Sequence, residues 1–296
     1  MASASEHRTA RRVECVGVVV HPSRDVERPL DRLRGWAAER GVGVVQVPVA
    51  GQERRVAELG EPDRCDLLVS IGGDGTMLAA IRAAVAAGRP VLGVTCGSLG
   101  ALTTVSADGL AAALDRFRDD DWTARIVPAL TVARPDGPDL FAVNDVCVVR
   151  DGIGQVRVTS RVDGVLFTRQ AGDGCIVSTA LGSSAYALAA GGPLLMPETE
   201  AYLLTPLATH GGFRQPLVIA PGSRLELEIA CGIGGARLEV DGQVIASDPK
   251  RLTIGLRPQV ATLVGFADQE PLLEALRRRQ IITDSPRVAA DARPLP

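Results

Sequence analysis

The chain has a single lysine, Lys250, and it stands in Asp248-Pro249-Lys250 rather than behind a glycine-rich loop. A Walker A loop is thereby excluded, because that loop needs a lysine to reach the donor phosphates. Aromatic residues make up only 3%, so the core must come from Val, Leu, Ile and Ala. The three histidines, His7, His21 and His210, build no ligand pattern with the cysteines at 15, 65, 96, 147, 175 and 231. No cysteine pair forms CxxC, which argues against a structural zinc site or a disulfide framework. Scattered cysteines in apolar surroundings read as small core residues of a reducing compartment. No apolar run approaches the length of a membrane span. The opening MASASEHRTARR has no apolar h-region, so a secretory signal is not expected and a cytoplasmic location is. Net charge is −3 with no long basic run, which argues against nucleic acid or an anionic membrane as main partner.

What is present centres on Leu67-Leu68-Val69-Ser70-Ile71-Gly72-Gly73-Asp74-Gly75-Thr76-Met77-Leu78. An apolar run stops at two glycines, and a helix-forming run begins after a third. A strand–loop–helix corner follows. Glycines there let backbone amides approach a ligand and take positive φ, and amides aimed by a helix start bind phosphate oxygens. Asp74 is then anomalous, since a carboxylate repels phosphate. A metal ion or a hydroxyl proton must compensate, and both belong to phosphoryl transfer. The corner lacks the last glycine of a GxGxxG fingerprint.

Ahead of this corner, Val13–Val20 and Val42–Val49 read as buried strands, with a helix through Leu30, Leu33 and Ala37 between them. Gln52–Leu59 reads as a short helix, Asp66–Ile71 as the third strand and Pro90–Val94 as the fourth. Alternating βα units imply a mostly parallel, Rossmann-like sheet, with ligands beyond the strands' carboxyl ends. After another helix through Leu110, Leu114 and Phe117 comes Asp119-Asp120-Asp121, read as a solvated helix end. From about Arg125 the runs become short and alternating: 125–133, 140–149, 155–162, 165–170 and 225–229. That is an all-β, sandwich-like pattern. The expected division is a tail at 1–12, an α/β domain at 13–124, a β-sandwich at 125–265, and a C-terminal helix (271–280) with a loose tail within 266–296.

The β region carries Asn144-Asp145, which would hold vicinal ribose hydroxyls if the backbone bulges there. It also carries the run from Gly172-Asp173-Gly174 through Ser178-Thr179 and Ser183-Ser184-Ala185-Tyr186 to Gly191-Gly192-Pro193. Hydroxyls with free amides suit phosphate or sugar oxygens, and Tyr186 suits a flat ring.

In order and spacing, GGDGT, Gly97-Ser98-Leu99-Gly100-Ala101-Leu102, Asn144-Asp145 and the 172–193 run resemble the NAD kinase family, over about residues 15–280. The resemblance extends through Thr205-Pro206-Leu207, Phe213-Arg214 and Asp241-Gly242-Gln243. It implies an α/β domain followed by a β-sandwich, a homo-oligomer (dimer or tetramer), and a site often completed by a neighbouring subunit. It implies transfer of the γ-phosphoryl of ATP, with Mg²⁺ or Mn²⁺, to the 2′-hydroxyl of NAD. Asp74 would accept or orient the hydroxyl proton. Gly72, Gly73, Gly75 and Thr76 would line the phosphates, with Thr95 and Gly97 in the same set. Asn144 and Asp145 would hold the acceptor's adenosine half, and Asp173, Thr179, Ser184, Ala185, Tyr186 and Ala189 the rest. No resident metal ligands are assigned. The pattern departs from the family at Thr95 (usually Asn), Ala101 (usually Phe), Ala180-Leu181 (usually Pro-Thr) and Thr209-His210-Gly211 (usually Pro-His-Ser). These departures lie on the ligand side. They leave open a kinase of the same fold acting on another ribose- or adenosine-containing acceptor, such as one of specialised metabolism. A non-catalytic nucleotide-binding regulator is a third reading, which Asp74 disfavours.

Overall fold

The computed structural model describes residues 12–97 and 102–291. The chain forms two compact units, residues 1–125 with 261–296, and residues 126–260.

In the first unit, β1 (Cys15–Val20), α1 (Glu27–Arg40), β2 (Gly43–Gln46), β3 (Leu67–Gly72), α2 (Asp74–Ala87), β4 (Pro90–Thr95), β5 (Val105–Ser106) and α3 (Leu110–Arg118) follow in order. The strands lie β2-β1-β3-β4, every pair parallel. β5 also joins β4. Alternate strand residues face opposite sides. Val16, Val18, Val20, Leu67, Val69 and Ile71 therefore meet α1 and α3 through Leu30, Leu33, Trp36, Leu110 and Phe117. The opposite face takes α2, which buries Met77, Ala80, Ile81 and Ala84. Two aromatics join this aliphatic core: the Trp36 indole donates to Asp115 at 2.9 Å, and Phe117 packs on Trp122.

The second unit is all β. Its elements are β6 (Thr123–Ala133), β7 (Leu140–Ala142), β8 (Asp145–Arg150), β9 (Val156–Val162), β10 (Val165–Gly172), β11 (Gly174–Thr179), the short helix α4 (Tyr186–Ala189), β12 (Tyr202–Leu207), β13 (Leu217–Ile219), β14 (Leu225–Ala230), β15 (Ala236–Val240), β16 (Gln243–Ser247) and most of β17 (Arg251–Gly265). One sheet runs β10-β9-β14-β17, and the other β13-β12-β11-β8-β15-β16. Val156, Val158, Leu225, Leu227, Leu252 and Ile254 of the first meet Val146, Val148, Cys175, Val177, Leu204 and Leu238 of the second, which makes a sandwich. The end of β17 pairs parallel with β4 in the first unit, followed by α5 (Leu272–Arg278) and α6 (Pro286–Asp291). No helix among the described residues is long and apolar enough to cross a membrane.

Three local expectations are corrected. Residues 52–59 are not helical. The buried Gln46 side chain donates to the Arg54 carbonyl and accepts from the Val56 amide, both at 2.7 Å, and Leu59 makes an isolated bridge to Gln46. Those bonds take the groups a helix would have used. The 140–149 run is two strands, interrupted at 143–144. The segment after Asp284, expected to be loose, carries α6 with Pro286 at its start, where a missing N–H costs nothing. In the acidic run, Asp121 pairs with Arg116 at 2.7 Å and Asp119 with Arg118 at 3.2 Å.

Packing between the parallel strands makes a sharp test. A Cβ on Gly17 would lie 2.6 Å from Leu68 Cδ2, 2.7 Å from Val47 Cγ2 and 2.9 Å from Cys65 Sγ. Gly17→Ala is expected to cost about 1–3 kcal/mol by overpacking. Gly35→Ala, whose Cβ meets nothing within 4 Å in α1, should stabilise by roughly 0.5–1 kcal/mol. Thermal unfolding of both variants checks the contrast.

Candidate active site

The sheet order sets the place. From β1 the chain winds outward to β2, and from β3 it winds the other way to β4. The crevice beyond the carboxyl ends of β1 and β3 is thus a topological switch point, where open α/β sheets bind ligands. The two ends are tied: the His21 amide donates to the Ile71 carbonyl at 2.9 Å.

At the end of β3, Gly73 is the N-cap of α2 and Asp74 its first residue. A carboxylate there is favoured by the helix dipole. Asp74 is half-buried, and its Oδ1 accepts from the Leu102 amide at 3.1 Å. The corner glycines act otherwise than expected, because none of them has positive φ. A Cβ on Gly72 would strike Thr76 Oγ1 at 2.2 Å, so Gly72 makes room for the buried Thr76. Gly75 is exposed with nothing within 4 Å of its would-be Cβ, leaving bare backbone at the helix start. Thr95 ends β4 in a buried position, and its hydroxyl accepts from the Gly97 amide at 3.1 Å. Ser98–Ala101, including the Ala101 departure, lie outside the described residues.

Sequence reasoning missed a cation. Arg24 follows β1, and its Nη1 lies 3.7 Å from the ideal Cβ position of Gly73. It makes no ion pair among the described residues. The turn is fixed by His21 Nδ1, which accepts from the Ser23 and Arg24 amides at 3.1 and 3.0 Å. Burial, then Arg24 and Arg54, holds His21 below the usual imidazole range, so it stays the neutral acceptor. The only available signal was a basic residue just past a buried strand, and only the strand order places it beside GGDGT.

The second constellation lies in the sandwich unit. On β8, Val146 and Val148 face the interior. Asp145, Cys147 and Val149 face outward, where Cys147 and Val149 join Ile176, Ala187 of α4 and Leu207. The interruption before β8 is held by Asp241. Its Oδ1 accepts the Asn144 and Asp145 amides at 2.7 and 3.2 Å, and its Oδ2 the Val143 amide at 3.1 Å. The bend between β7 and β8 is therefore held by a carboxylate from the β15–β16 turn, where Asp241 and Gly242 both have positive φ. Thr179, buried, donates to the Val143 carbonyl at 2.7 Å and accepts from the Gly182 amide at 3.0 Å. Its hydroxyl thus serves the backbone. Ser184 Oγ is spent on the Leu181 carbonyl at 3.0 Å, and Asp173 pairs with Arg150 at 2.8 Å. Ala185, Tyr186 and Ala189 are exposed. Glu239, cross-strand from Cys147, is a further carboxylate near this group and is bonded to Arg237.

Burial, reinforced by Asp241 and then Glu239, pushes Asp145 up to about 6, although the Cys147 thiol donates to it at 3.7 Å. Desolvation, then Cys147 and Glu239, raises Tyr186 despite Arg237, with Asp173 adding to the rise. This is an acidic wall, suited to accept hydrogen bonds from hydroxyl groups.

A parallel sheet whose switch point carries a glycine corner, a helix-start carboxylate and an arginine with no ion pair among the described residues fits the class of phosphate-binding α/β enzymes. Comparison with known proteins narrows the class. Residues 3–122 match the ATP-NAD kinase N-terminal domain and residues 143–263 the ATP-NAD kinase C-terminal domain. The chain is 38% identical over 248 residues to NAD kinase of Heliobacterium modesticaldum, covering 77% of this chain and 84% of that protein. It is 31% identical to NAD kinase 1 of Streptomyces avermitilis, covering 95% and 91%. Among solved structures, yeast NADH kinase complexed with NADH superposes with a TM-score of 0.76 at 19% identity, over 96% of this chain and 94% of that one. An Archaeoglobus fulgidus NAD kinase with ATP superposes at 0.71 and 24% identity, over 91% and 100%. This chain belongs to the NAD kinase family.

The Asp145 environment yields a test with a defined sign. Its folded value, raised from 3.8 to about 6, means the unfolded chain ionises first. Stability is lost as pH rises from about 4 to about 6, and the loss is complete above that range. Asp145→Asn should therefore unfold at higher denaturant than wild type at pH 7–8, by on the order of 2–3 kcal/mol. The difference should shrink towards pH 4, and denaturant titration across pH reads both.

Proposed function

We propose that this enzyme transfers the γ-phosphoryl group of ATP to the ribose 2′-hydroxyl of NAD, giving NADP. One observation carries the reading: Asp74, held by the Leu102 amide at the start of α2, sits with Arg24 at the switch point of a parallel sheet. The donor phosphates lie against the amides of Gly72–Thr76, with Thr95 and Gly97 at the neighbouring strand end. Arg24 offsets the phosphate charge that Asp74 alone would repel. Asp74 accepts the proton of the attacking hydroxyl as its oxygen bonds the γ-phosphorus, while the bond from that phosphorus to the β–γ bridging oxygen breaks and ADP leaves with its electron pair. Asn144 and Asp145 hold the acceptor's adenosine ribose. Asp173 and Tyr186 receive the rest of the acceptor. Thr179 and Asp241 position this wall through the backbone. The exposure of Ala185, Tyr186 and Ala189 supports a neighbouring copy covering them, in a cytoplasmic homo-oligomer.

No group of three or more metal-ligating side chains occurs among the described residues. The residues present fit a divalent ion carried on the donor phosphates, with Asp74 as at most one protein ligand. Such an ion, when bound, would supply positive charge against the negative charge that develops on the phosphoryl group.

The test is NADP formation by purified variants. Asp74→Asn should lower kcat about 10²–10⁴-fold, with the KM for ATP little changed. Arg24→Ala should act mainly on ATP, raising its KM roughly ten- to a hundredfold, as expected for one charged hydrogen bond. Near wild-type turnover by Asp74→Asn would remove Asp74 from the chemistry and, with it, this assignment of the site. A second measurement concerns the metal. Excess chelator should abolish turnover while leaving the thermal unfolding midpoint in place, and Mg²⁺ or Mn²⁺ should restore activity.

A further inference from the structure

The sandwich unit has an open groove of about 590 Å³, and of its lining residues only His210 and Gly211 figured above, as departures from the family pattern. Its floor is the outer face of three paired strands. On β9, Arg157 and Thr159 point away from the core that Val156 and Val158 enter. Arg157 lies opposite Ala171 of β10 and Ala230 of β14. Two methyl groups therefore flank one guanidinium, and this makes the depression. Thr159 lies opposite Arg169 on one side and Glu228 on the other. Arg157 and Arg169 are thus diagonal neighbours, within reach of one small ligand. His210-Gly211-Gly212 forms the rim, anchored by the His210 amide on the Ala171 carbonyl at 2.9 Å.

Charge decides what such a groove takes. Neither Arg157 nor Arg169 has an ion-pair partner among the described residues. The one carboxylate lining the groove, Glu228, is already bonded to Arg161 at 3.2 Å. Gly211 and Gly212 both sit at φ 72°, open to glycine at little cost. Their amides donate to no group among the described residues. Like charges on one sheet face repel unless something lies between them. Two guanidinia, a hydroxyl and two bare amides form a donor-rich lining around an apolar pit, and a tetrahedral dianion supplies the acceptors.

We propose that this groove is a second anion site, which takes the phosphate group of a small phosphorylated metabolite. Its size exceeds that of a lone phosphate and lies within the range of small-molecule sites. Titration with the donor site filled separates this groove from that site.

The experiment titrates inorganic phosphate, pyrophosphate and, separately, citrate into the full-length protein held in saturating non-hydrolysable ATP analogue. Heat of binding is the readout. Wild type should bind the phosphate probes, and Arg157→Gln/Arg169→Gln should weaken them roughly tenfold or more. Arg157→Lys/Arg169→Lys should fall between, since lysine keeps charge but loses the planar fork. NADP formation without added phosphate should be unchanged in both. If the double variant does not fold, each single Gln variant answers the same question. Equal phosphate binding by wild type and Gln variants would overturn the proposal, and so would tighter binding of citrate than of either phosphate probe. A change in sedimentation of the Gln variants, with no phosphate binding by wild type, would also overturn it and make this face a contact between copies of the chain.

Discussion

Where a strand stops in order to make a site, its backbone amides lose their ladder partners and must find others. In this protein carboxylates take that place. Asp241 gathers the three amides at 143–145, and Asp74 holds the Leu102 amide across from the β3 corner. The Asp241 interaction opens a strand end without leaving an unsatisfied donor, the Asp74 interaction ties the segment before β5 to the start of α2, and each places a negative charge at the corner it holds. The site's electrostatics follow from this. Arg24 brings a positive charge to the GGDGT corner, whereas burial beside Asp241 raises the Asp145 carboxyl at the other.

The switch point explains why these residues and no others share a place. GGDGT follows β3, and the Arg24 turn follows β1. About 50 residues and two further elements separate them along the chain. Only the reversal of winding between β1 and β3 puts their carboxyl ends side by side.

Much of this was legible in the sequence. The apolar runs of β1, β3 and β4, the helix faces between them and the GGDGT corner each follow from local periodicity and glycine chemistry. The change to short alternating strands after residue 125 is equally visible. What could not be read depended on groups far apart in sequence. Gln46 replaces helical hydrogen bonds for residues 54 and 56. Asp241 breaks a run that looks continuous at 140–149. Gly72 is required for the Thr76 side chain rather than for positive φ. The roles of Arg24 and Glu239 also depend on strand order, which no single segment reveals. Asp241-Gly242-Gln243 entered the sequence reading only through the family resemblance, because the role of its carboxylate is set by a segment almost a hundred residues earlier.

β17 has a consequence for how the chain is made. Its first half supplies Leu252 and Ile254 to the sandwich core. Its second half reaches the first unit, whose core holds Val264. One late strand thus closes both cores. During synthesis the earlier segments emerge with their apolar faces incompletely covered, until about residue 265 has left the ribosome. The two units are then completed almost together, so nascent chains truncated before that strand would expose apolar surface from both.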